Sequence, residues 1–147
     1  MGGGGGQLLI PIGALFQLRL NCFRTLATLL ACGVSSVCTR LRSLRNPTVK
    51  MSKSDTDAKS RIELTDNAET TAIKIRKAVT DSTSNITFDP VQRPGVSNLV
   101  TLFSLFSDLT VDQVVTQSIG IDTLGFKGKL AELIKSVQSI AFVVSLL

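Results

Sequence analysis

Histidine is missing from this 147-residue sequence, and cysteine occurs only three times. A chain without histidine lacks the usual general base near neutral pH, which argues against a serine–histidine–aspartate hydrolase. Cys22, Cys32 and Cys38 are odd in number and have no histidine partners, so neither a four-ligand zinc site nor a disulfide framework is expected. We therefore predict reduced cysteines in an intracellular protein and no protein-bound metal.

Acidic residues are absent from residues 1–54, which carry seven basic residues, whereas residues 55–147 hold nine basic and eleven acidic residues. A basic front attracts phosphates, nucleic acid or anionic membrane, and charge alone does not choose among them. Long hydrophobic runs are also missing, because arginines interrupt the apolar residues 8–38 before they reach the roughly 18–20 residues of a membrane span. An acid-free segment with arginine and serine is instead typical of an organelle transit peptide, the alternative being a helix without a targeting role.

Local signals after residue 50 predict a polar loop followed by helices. Residues 50–60 are rich in Lys, Ser, Asp and Thr, which indicates an exposed, mobile loop, and residues 61–65 are predicted to be briefly extended. A capping box at Asp66 and Glu69 predicts a first helix that runs to about Ser82. The apolar positions expected on its buried face are Ala72, Ile73, Ile75, Ala78 and Val79, and the side chains expected in solvent are Lys74, Arg76 and Lys77.

Three further helices are predicted. Ser97 is the expected N-cap of the second, whose apolar face consists of Leu99, Val100, Leu102, Phe103 and Phe106. A capping box at Thr110 and Gln113 opens a short third helix that ends at Gly120. The fourth is expected from about Gly125, with a stripe made of Leu130, Leu133, Ile134 and Val137.

The pentapeptide at residues 50–54 (KMSKS) carries the clearest chemical signal. It sets two lysines and two hydroxyls around one apolar residue on a flexible stretch. Lysine suits the binding of a polyphosphate, because its ammonium is a compact point charge on a mobile stem. A solvated basic linker has the same composition, so the neighbouring segments decide between the two interpretations.

The neighbouring segments that carry a recognisable pattern are 43–47 (SLRNP), 60–62 (SRI), 64–66 (LTD), 77–81 (KAVTD), 88–90 (FDP) and 93–99 (RPGVSNL). Their order resembles that in tryptophanyl-tRNA synthetases of the bacterial or mitochondrial type, and the pentapeptide resembles the KMSKS loop of class I aminoacyl-tRNA synthetases. Residues 41–133 thus resemble one continuous piece of that family. The sequence departs from it at Asp55-Thr56, where the family has Asp-Pro, so the exit of the loop is expected to be less rigid.

The resemblance implies a tryptophan–tRNA ligase, which activates tryptophan with ATP, releases pyrophosphate and transfers tryptophan to tRNA(Trp). The residues that would bind ATP, with Mg²⁺ on its phosphates, are Lys50, Met51, Ser52, Lys53 and Ser54. Lys53 would be the catalytic residue, since its ammonium would stabilise charge on the departing pyrophosphate. Met51 would contact the nucleotide or anchor the loop by packing. The family forms homodimers, a membrane partner is not expected, and the expected location is the mitochondrial matrix, with the cytoplasm as the alternative.

The fold class expected from the resemblance is mainly α: the helical C-terminal portion of a class I synthetase, with most of the Rossmann-like catalytic sheet missing. The expected divisions are an unmatched apolar, basic front (1–40), the KMSKS loop region (41–60), a helical domain (61–135) and a divergent apolar tail (136–147). The front shows no alternation of strands and helices and, without histidine, no HIGH-type motif, so the chain alone is expected to be inactive.

Two alternatives to a ligase remain open at this point. The first is a non-catalytic helical module that contacts tRNA or a synthetase partner, in which the cations meeting phosphates would be Arg76, Lys77, Lys127 and Lys129. A solvated helix face explains the same cations. The second is a small membrane-associated protein that uses residues 8–38 and the apolar tail.

Overall fold

The computed structural model describes residues 41–63 and 65–145, with side chains described as far as residue 139. Within these residues lie four α-helices, which are α1 (Ala68–Arg76), α2 (Pro94–Ser107), α3 (Val111–Gln117) and α4 (Thr123–Ser145), preceded by a 3-10 helix (Ala58–Ser60). The described residues contain no strand beyond one antiparallel bridge between Arg42 and Lys50. The expected mainly α class is confirmed for this part of the chain. The predicted front segment and Leu64 lie outside it, and the expected domain divisions stay predictions.

Helix α1 starts one residue later and ends earlier than the capping box predicted. Its N-cap is Asn67, whose side chain accepts a hydrogen bond from the Thr70 backbone N–H at 2.7 Å. The prediction that Asp66 caps this helix was therefore wrong. The helix ends at Arg76 rather than near Ser82, and residues 77–93 form a loop that leads to α2.

Lys74 is buried, contrary to the prediction that it is solvated. Its ammonium lies 2.6 Å from the carboxylate of Asp66, and the two side chains are 5% and 9% exposed. The same carboxylate oxygen accepts the backbone N–H of Glu63 at 2.8 Å. An ion pair with a further hydrogen bond makes this burial tolerable, and it draws Asp66 away from the helix end. The buried residues of α1 are consequently Thr71, Lys74 and Ile75, and Ala78 is buried just after the helix ends. Ala72, Ile73 and Val79 are exposed, contrary to the prediction that they lie on the buried face.

Helix α2 begins at Pro94, three residues before the predicted cap at Ser97. Proline suits a first helical position because its φ is already fixed and its missing N–H would have no partner there. The Ser97 hydroxyl lies inside the helix and accepts the backbone N–H of Asp89 at 2.8 Å. The serine predicted as a cap therefore holds the preceding loop instead.

Helix α3 confirms the capping box predicted for it. The Thr110 hydroxyl accepts the Gln113 backbone N–H at 3.3 Å, and the Gln113 side chain accepts the Thr110 N–H at 2.9 Å. Gly120 adopts a φ of 81° in the following turn, where glycine is favoured, and α4 starts at Thr123. Among the described helices none is long and apolar enough by itself to cross a membrane; α2 and α3 reach that length and composition only as a pair, bent by 104°.

One hydrophobic core joins the helices. Helix α4 packs against α1 and α2, and α3 packs against α2. Phe103 of α2 stacks on Phe126 of α4 with ring centroids 5.4 Å apart. The predicted stripe of α4 faces this core, since Leu130 and Ile134 are fully buried and their neighbours are partly so. Leu41 and Leu44, which lie before the helices, are also buried here, so the core supports the segment that leads into the pentapeptide.

Candidate functional site

The pentapeptide at residues 50–54 begins on a short ribbon, in which the backbone segments 41–43 and 49–51 run antiparallel to each other. The backbone N–H of Met51 donates to the carbonyl of Leu41 at 3.2 Å, next to the antiparallel bridge between Arg42 and Lys50. Met51 is half-buried and packs against the hydrophobic core. The start of the pentapeptide is therefore anchored by both a backbone hydrogen bond and apolar packing.

The tip of the pentapeptide is a tight exposed turn. The carbonyl of Ser52 accepts the backbone N–H of Asp55 at 3.4 Å, and the hydroxyls of Ser52 and Ser54 are hydrogen-bonded at 2.8 Å. Lys53 occupies the first central position of this turn and is exposed. The structure thus places Lys53 within an exposed turn.

The two lysines of the pentapeptide present their charges to solvent. Lys50 and Lys53 are both exposed, and within the described part of the chain neither ammonium takes part in a hydrogen bond or an ion pair. The nearest acid in sequence is turned to its own backbone, because a side-chain oxygen of Asp55 accepts the N–H of Asp57 at 2.9 Å. Two cations that have no counterion among the described residues can bind an external anion such as a phosphate group.

Asn98 of α2 holds the segment of the ribbon that is paired with Lys50. Its side-chain oxygen accepts the backbone N–H of Arg42, and its side-chain nitrogen donates to the Arg42 carbonyl, both at 2.8 Å. Asn98 itself is only 4% exposed. A buried amide thus makes the two hydrogen bonds that a neighbouring strand would make. Helix α2 fixes the ribbon through this clamp.

The next part of the ribbon is tied to the 3-10 helix and to the end of α1. The backbone N–H of Leu44 donates to the Ser60 carbonyl, and the Leu44 carbonyl accepts the N–H of Val79, each at 2.8 Å. The guanidinium of Arg45 donates to the Lys77 carbonyl at 2.6 Å. Segments far apart in sequence therefore converge on residues 42–45.

Arg93 organises the loop ahead of α2. Two of its nitrogens donate to the two carboxylate oxygens of Asp81 at 2.9 and 2.7 Å, and a third donates to the Asn85 carbonyl and the Thr87 hydroxyl at 2.6 and 2.7 Å. The hydrogen bonds from Arg93 lower the pKa of Asp81, and the same contact raises the pKa of Arg93.

Gly95 lets α2 approach the loop closely. A Cβ atom at this position would lie 2.3 Å from the Val79 carbonyl oxygen, which is far inside van der Waals contact. The absence of a side chain at Gly95 is therefore required for α2 to begin where it does, beside Val79, whose N–H holds Leu44.

Lys127 has an internal structural role that the sequence did not indicate. Its ammonium donates to the Ala78 carbonyl at 2.8 Å and lies 3.4 Å from the Arg76 carbonyl, at the C-terminal end of α1. A cation at this end satisfies free carbonyls and interacts favourably with the helix dipole. Burial lowers the pKa of Lys127. The proposal that Lys127 meets nucleic-acid phosphates is therefore disfavoured, whereas Arg76, Lys77 and Lys129 are exposed.

The arrangement as a whole suits electrostatic binding of a polyphosphate at residues 50–54. It joins two exposed cations and two hydroxyls to a base that Asn98 clamps, while Arg93 and Gly95 hold the loop that leads into α2. Among the described residues, no group of three or more His, Cys, Asp or Glu side chains is placed to hold a metal ion. The base residues belong to segment 93–99, which the sequence flagged by resemblance without revealing what each side chain contacts.

The chain is similar to known proteins over most of its length. A family model described as tRNA synthetases class I (W and Y) matches residues 24–135, so the match starts ahead of the expected boundary at residue 41. Tryptophan–tRNA ligase of Caldanaerobacter subterraneus subsp. tengcongensis is 48% identical over 95 residues, which cover 65% of this chain and 29% of the relative. Tryptophan–tRNA ligase of Bacillus subtilis is 35% identical, with 88% of this chain and 42% of the relative covered.

A solved structure shares the fold of the described residues. The crystal structure of tryptophanyl-tRNA synthetase from Mycoplasma pneumoniae superposes with a TM-score of 0.63 at 30% identity, covering 69% of this chain and 33% of that one. The chain thus spans between 29% and 42% of the length of the two curated relatives described above. The family match covers most of the chain, including the pentapeptide and all the segments that support it. The chain therefore belongs to the class I tRNA synthetases of the W and Y family.

Proposed function

We propose that this chain carries the ATP-phosphate-binding lysines of a tryptophan–tRNA ligase, an enzyme that activates tryptophan with ATP and transfers it to tRNA(Trp). The observation that carries the proposal is the exposure of Lys50 and Lys53 on a ribbon whose backbone is clamped by Asn98. The relatives described above, which are named tryptophan–tRNA ligases, support tryptophan as the amino acid.

In the proposed reaction, a carboxylate oxygen of tryptophan attacks the α-phosphorus of ATP. The bond from that phosphorus to the bridging oxygen of the β-phosphate breaks, and pyrophosphate leaves with the bonding electrons. The ammonium of Lys53 stabilises the negative charge that grows on the leaving pyrophosphate, and Lys50 holds the phosphates from the ribbon. Ser52 and Ser54 offer hydroxyls to the phosphate oxygens, while Met51 keeps the loop attached to the core.

The remaining substrates and partners belong to the same proposal. Mg²⁺ would be carried by the ATP phosphates, where it neutralises part of their charge. Because residues 41–63 and 65–145 contain no parallel sheet, the proposal assigns them phosphate binding within a longer enzyme that also supplies the tryptophan pocket. Homodimer formation and contact with tRNA(Trp) are proposed for that complete enzyme.

A mitochondrial location is proposed from charge, since residues 1–54 carry seven basic residues and no acid. A fluorescent protein fused after residue 54 tests it. Accumulation in mitochondria is expected, and a uniform cytoplasmic signal would reject this part of the proposal.

Tryptophan-dependent exchange of labelled pyrophosphate into ATP tests the function. The assay uses a chimera in which residues 41–139 replace the aligned part of the Bacillus subtilis tryptophan–tRNA ligase. We expect the chimera to catalyse exchange and Lys53→Ala to lower its rate by about 10²- to 10³-fold, as when a charge-stabilising group is lost from a transition state. The matched control is Lys59→Ala, an exposed lysine of the 3-10 helix just after the pentapeptide, which should leave the rate unchanged. Equal rates for the chimera and its Lys53→Ala variant would refute the role assigned to Lys53.

A further inference from the structure

Arg61 contacts the backbone at the exit of the pentapeptide. The guanidinium of Arg61 donates from Nη1 to the Asp55 carbonyl at 2.8 Å, and from Nε to the Glu63 carboxylate at 2.6 Å. Arg61 is 18% exposed at its side chain, so the contact is partly shielded from water. A planar guanidinium with donors at fixed angles can join these two acceptors at once.

Other contacts also hold this end of the loop, since a side-chain oxygen of Asp55 accepts the Asp57 N–H at 2.9 Å and the Arg45 guanidinium lies 3.5 Å from the Asp57 carboxylate. The contact from Arg61 is made to the Asp55 backbone carbonyl itself. The start of the turn is anchored through Met51, which packs against the core. At the other end, Asp55 is followed by Thr56, an exposed residue that imposes no special backbone restriction. Lys53 lies between these two ends, and the hydrogen bond that closes its turn, from Asp55 to Ser52, is long at 3.4 Å. The Asp55 carbonyl that Arg61 contacts therefore belongs to the residue that ends the turn carrying Lys53.

Arg61 is in turn connected to the helices through Glu63. The backbone N–H of Glu63 donates to Asp66, which is paired with the buried Lys74 of α1. The Glu63 carbonyl accepts a hydrogen bond from Gln138 of α4 at 3.4 Å. Glu63, which orients Arg61, is thus held by contacts that lead to both α1 and α4, so the loop exit is connected to these helices.

We infer that Arg61 is a positioning residue for Lys53: its guanidinium fixes the Asp55 carbonyl and so holds the turn that aims the Lys53 ammonium at a bound polyphosphate. The inference rests on the proposed function, because aiming matters only when the lysine meets phosphates. It assigns Arg61 no contact with the phosphates themselves.

The first test is amide hydrogen exchange on the complete 147-residue chain. In Arg61→Met, we expect the amides of Ser54, Asp55 and Asp57 to exchange about tenfold faster, since a charge-assisted hydrogen bond at the turn is lost. Core amides should change little. The matched control is Arg76→Met, which removes an exposed arginine from α1 and should leave the loop amides unaffected. Unchanged exchange at the loop in Arg61→Met would overturn the inference.

The second test is a double-mutant cycle for binding of inorganic pyrophosphate to the same chain by calorimetry. Arg61→Met should weaken binding by roughly fivefold, the upper range for a partly exposed charge-assisted contact. In a Lys53→Ala background the same change should have no further effect, because Arg61 acts through Lys53. An equal loss in both backgrounds would mean that Arg61 acts as an independent charge, contrary to the inference.

Arg61→Lys completes the design. A single ammonium keeps the charge but lacks the planar fork that reaches Asp55 and Glu63 together, so this variant should behave like Arg61→Met. Full recovery by lysine would overturn the positioning role. If the unaltered chain fails to bind pyrophosphate, the proposed function is what fails, and hydrogen exchange still decides whether Arg61 holds the turn.

Discussion

Asn98→Ala removes the clamp that joins α2 to the ribbon beside Lys50. The change deletes two hydrogen bonds of 2.8 Å, to the N–H and to the carbonyl of Arg42. Each such bond contributes about 1 kcal/mol net, so the free energy of unfolding should fall by about 2 kcal/mol. In a domain of this size, the loss corresponds to a decrease in Tm of roughly 10 °C.

Urea unfolding followed by circular dichroism measures this loss in the complete chain, and Asn85→Ala is the matched control. The Asn85 side chain is exposed in the loop ahead of α2, so its removal should change the free energy of unfolding by less than about 0.5 kcal/mol. Asn98→Asp separates the two hydrogen bonds, because a carboxylate still accepts from the Arg42 N–H but cannot donate to its carbonyl. We expect Asn98→Asp to be destabilised as well. If Asn98→Ala were as stable as Asn85→Ala, the clamp would not support the ribbon.

Three further predictions follow from contacts around the site. Gly95→Ala should lower the free energy of unfolding, measured in urea, by about 1–3 kcal/mol, because its Cβ would overlap the Val79 carbonyl oxygen. Gly128→Ala in α4, where a Cβ meets nothing within 4 Å, should instead raise it by roughly 0.5–1 kcal/mol. Equal effects of the two changes would refute the close approach at Gly95. Ser60→Ala should leave the free energy of unfolding unchanged or raise it by up to about 1 kcal/mol, since the buried Ser60 hydroxyl has no hydrogen-bond partner among the described residues. A clear loss of stability would show that this hydroxyl has a partner. Arg93 lowers the pKa of Asp81 in the folded state, so the stability from this pair is present above the ordinary aspartate pKa and is lost as pH falls through the lower folded pKa. Asp81→Asn should therefore reduce the decrease of Tm at acid pH. An unchanged profile of Tm against pH would contradict the pairing.

Local sequence signals predicted those elements whose determinants lie within a few residues of each other. The capping box of α3 is one example, since Thr110 and Gln113 satisfy each other three positions apart. The buried stripe of α4 is another, because a helical repeat of apolar residues is sufficient to define it. In both cases no distant residue that the structure describes offers a stronger competing contact.

The errors arose where a distant or competing partner was stronger than the local signal. Asp66 has the residue type and the spacing to Glu69 that are typical of an N-cap, yet it pairs with Lys74, and the neighbouring Asn67 caps α1. Lys127 has the appearance of a solvated cation, but its ammonium reaches the Ala78 carbonyl across 49 positions of sequence. Such pairings depend on the assembled fold, so composition and periodicity cannot reveal them.

At the candidate site, the sequence predicted the proposed phosphate-binding residues but not the contacts that support them. The pentapeptide was identified from its residues and neighbours, and the structure places its lysines in solvent on an anchored turn. The supporting contacts were not predictable, because Asn98 lies 56 positions from Arg42 and nothing local specifies their pairing. Arg61 was noticed only as part of a matching segment, without its contact to Asp55.

Calorimetric titration of the complete chain with inorganic pyrophosphate tests the central claim most directly. The claim is that the ammonium groups of Lys50 and Lys53 together bind a polyphosphate. We predict that the Lys50→Ala, Lys53→Ala double variant binds pyrophosphate at least about tenfold more weakly than the unaltered chain, while Lys59→Ala binds it equally well. Pyrophosphate binding of the same strength in the double variant and in the unaltered chain would contradict the account.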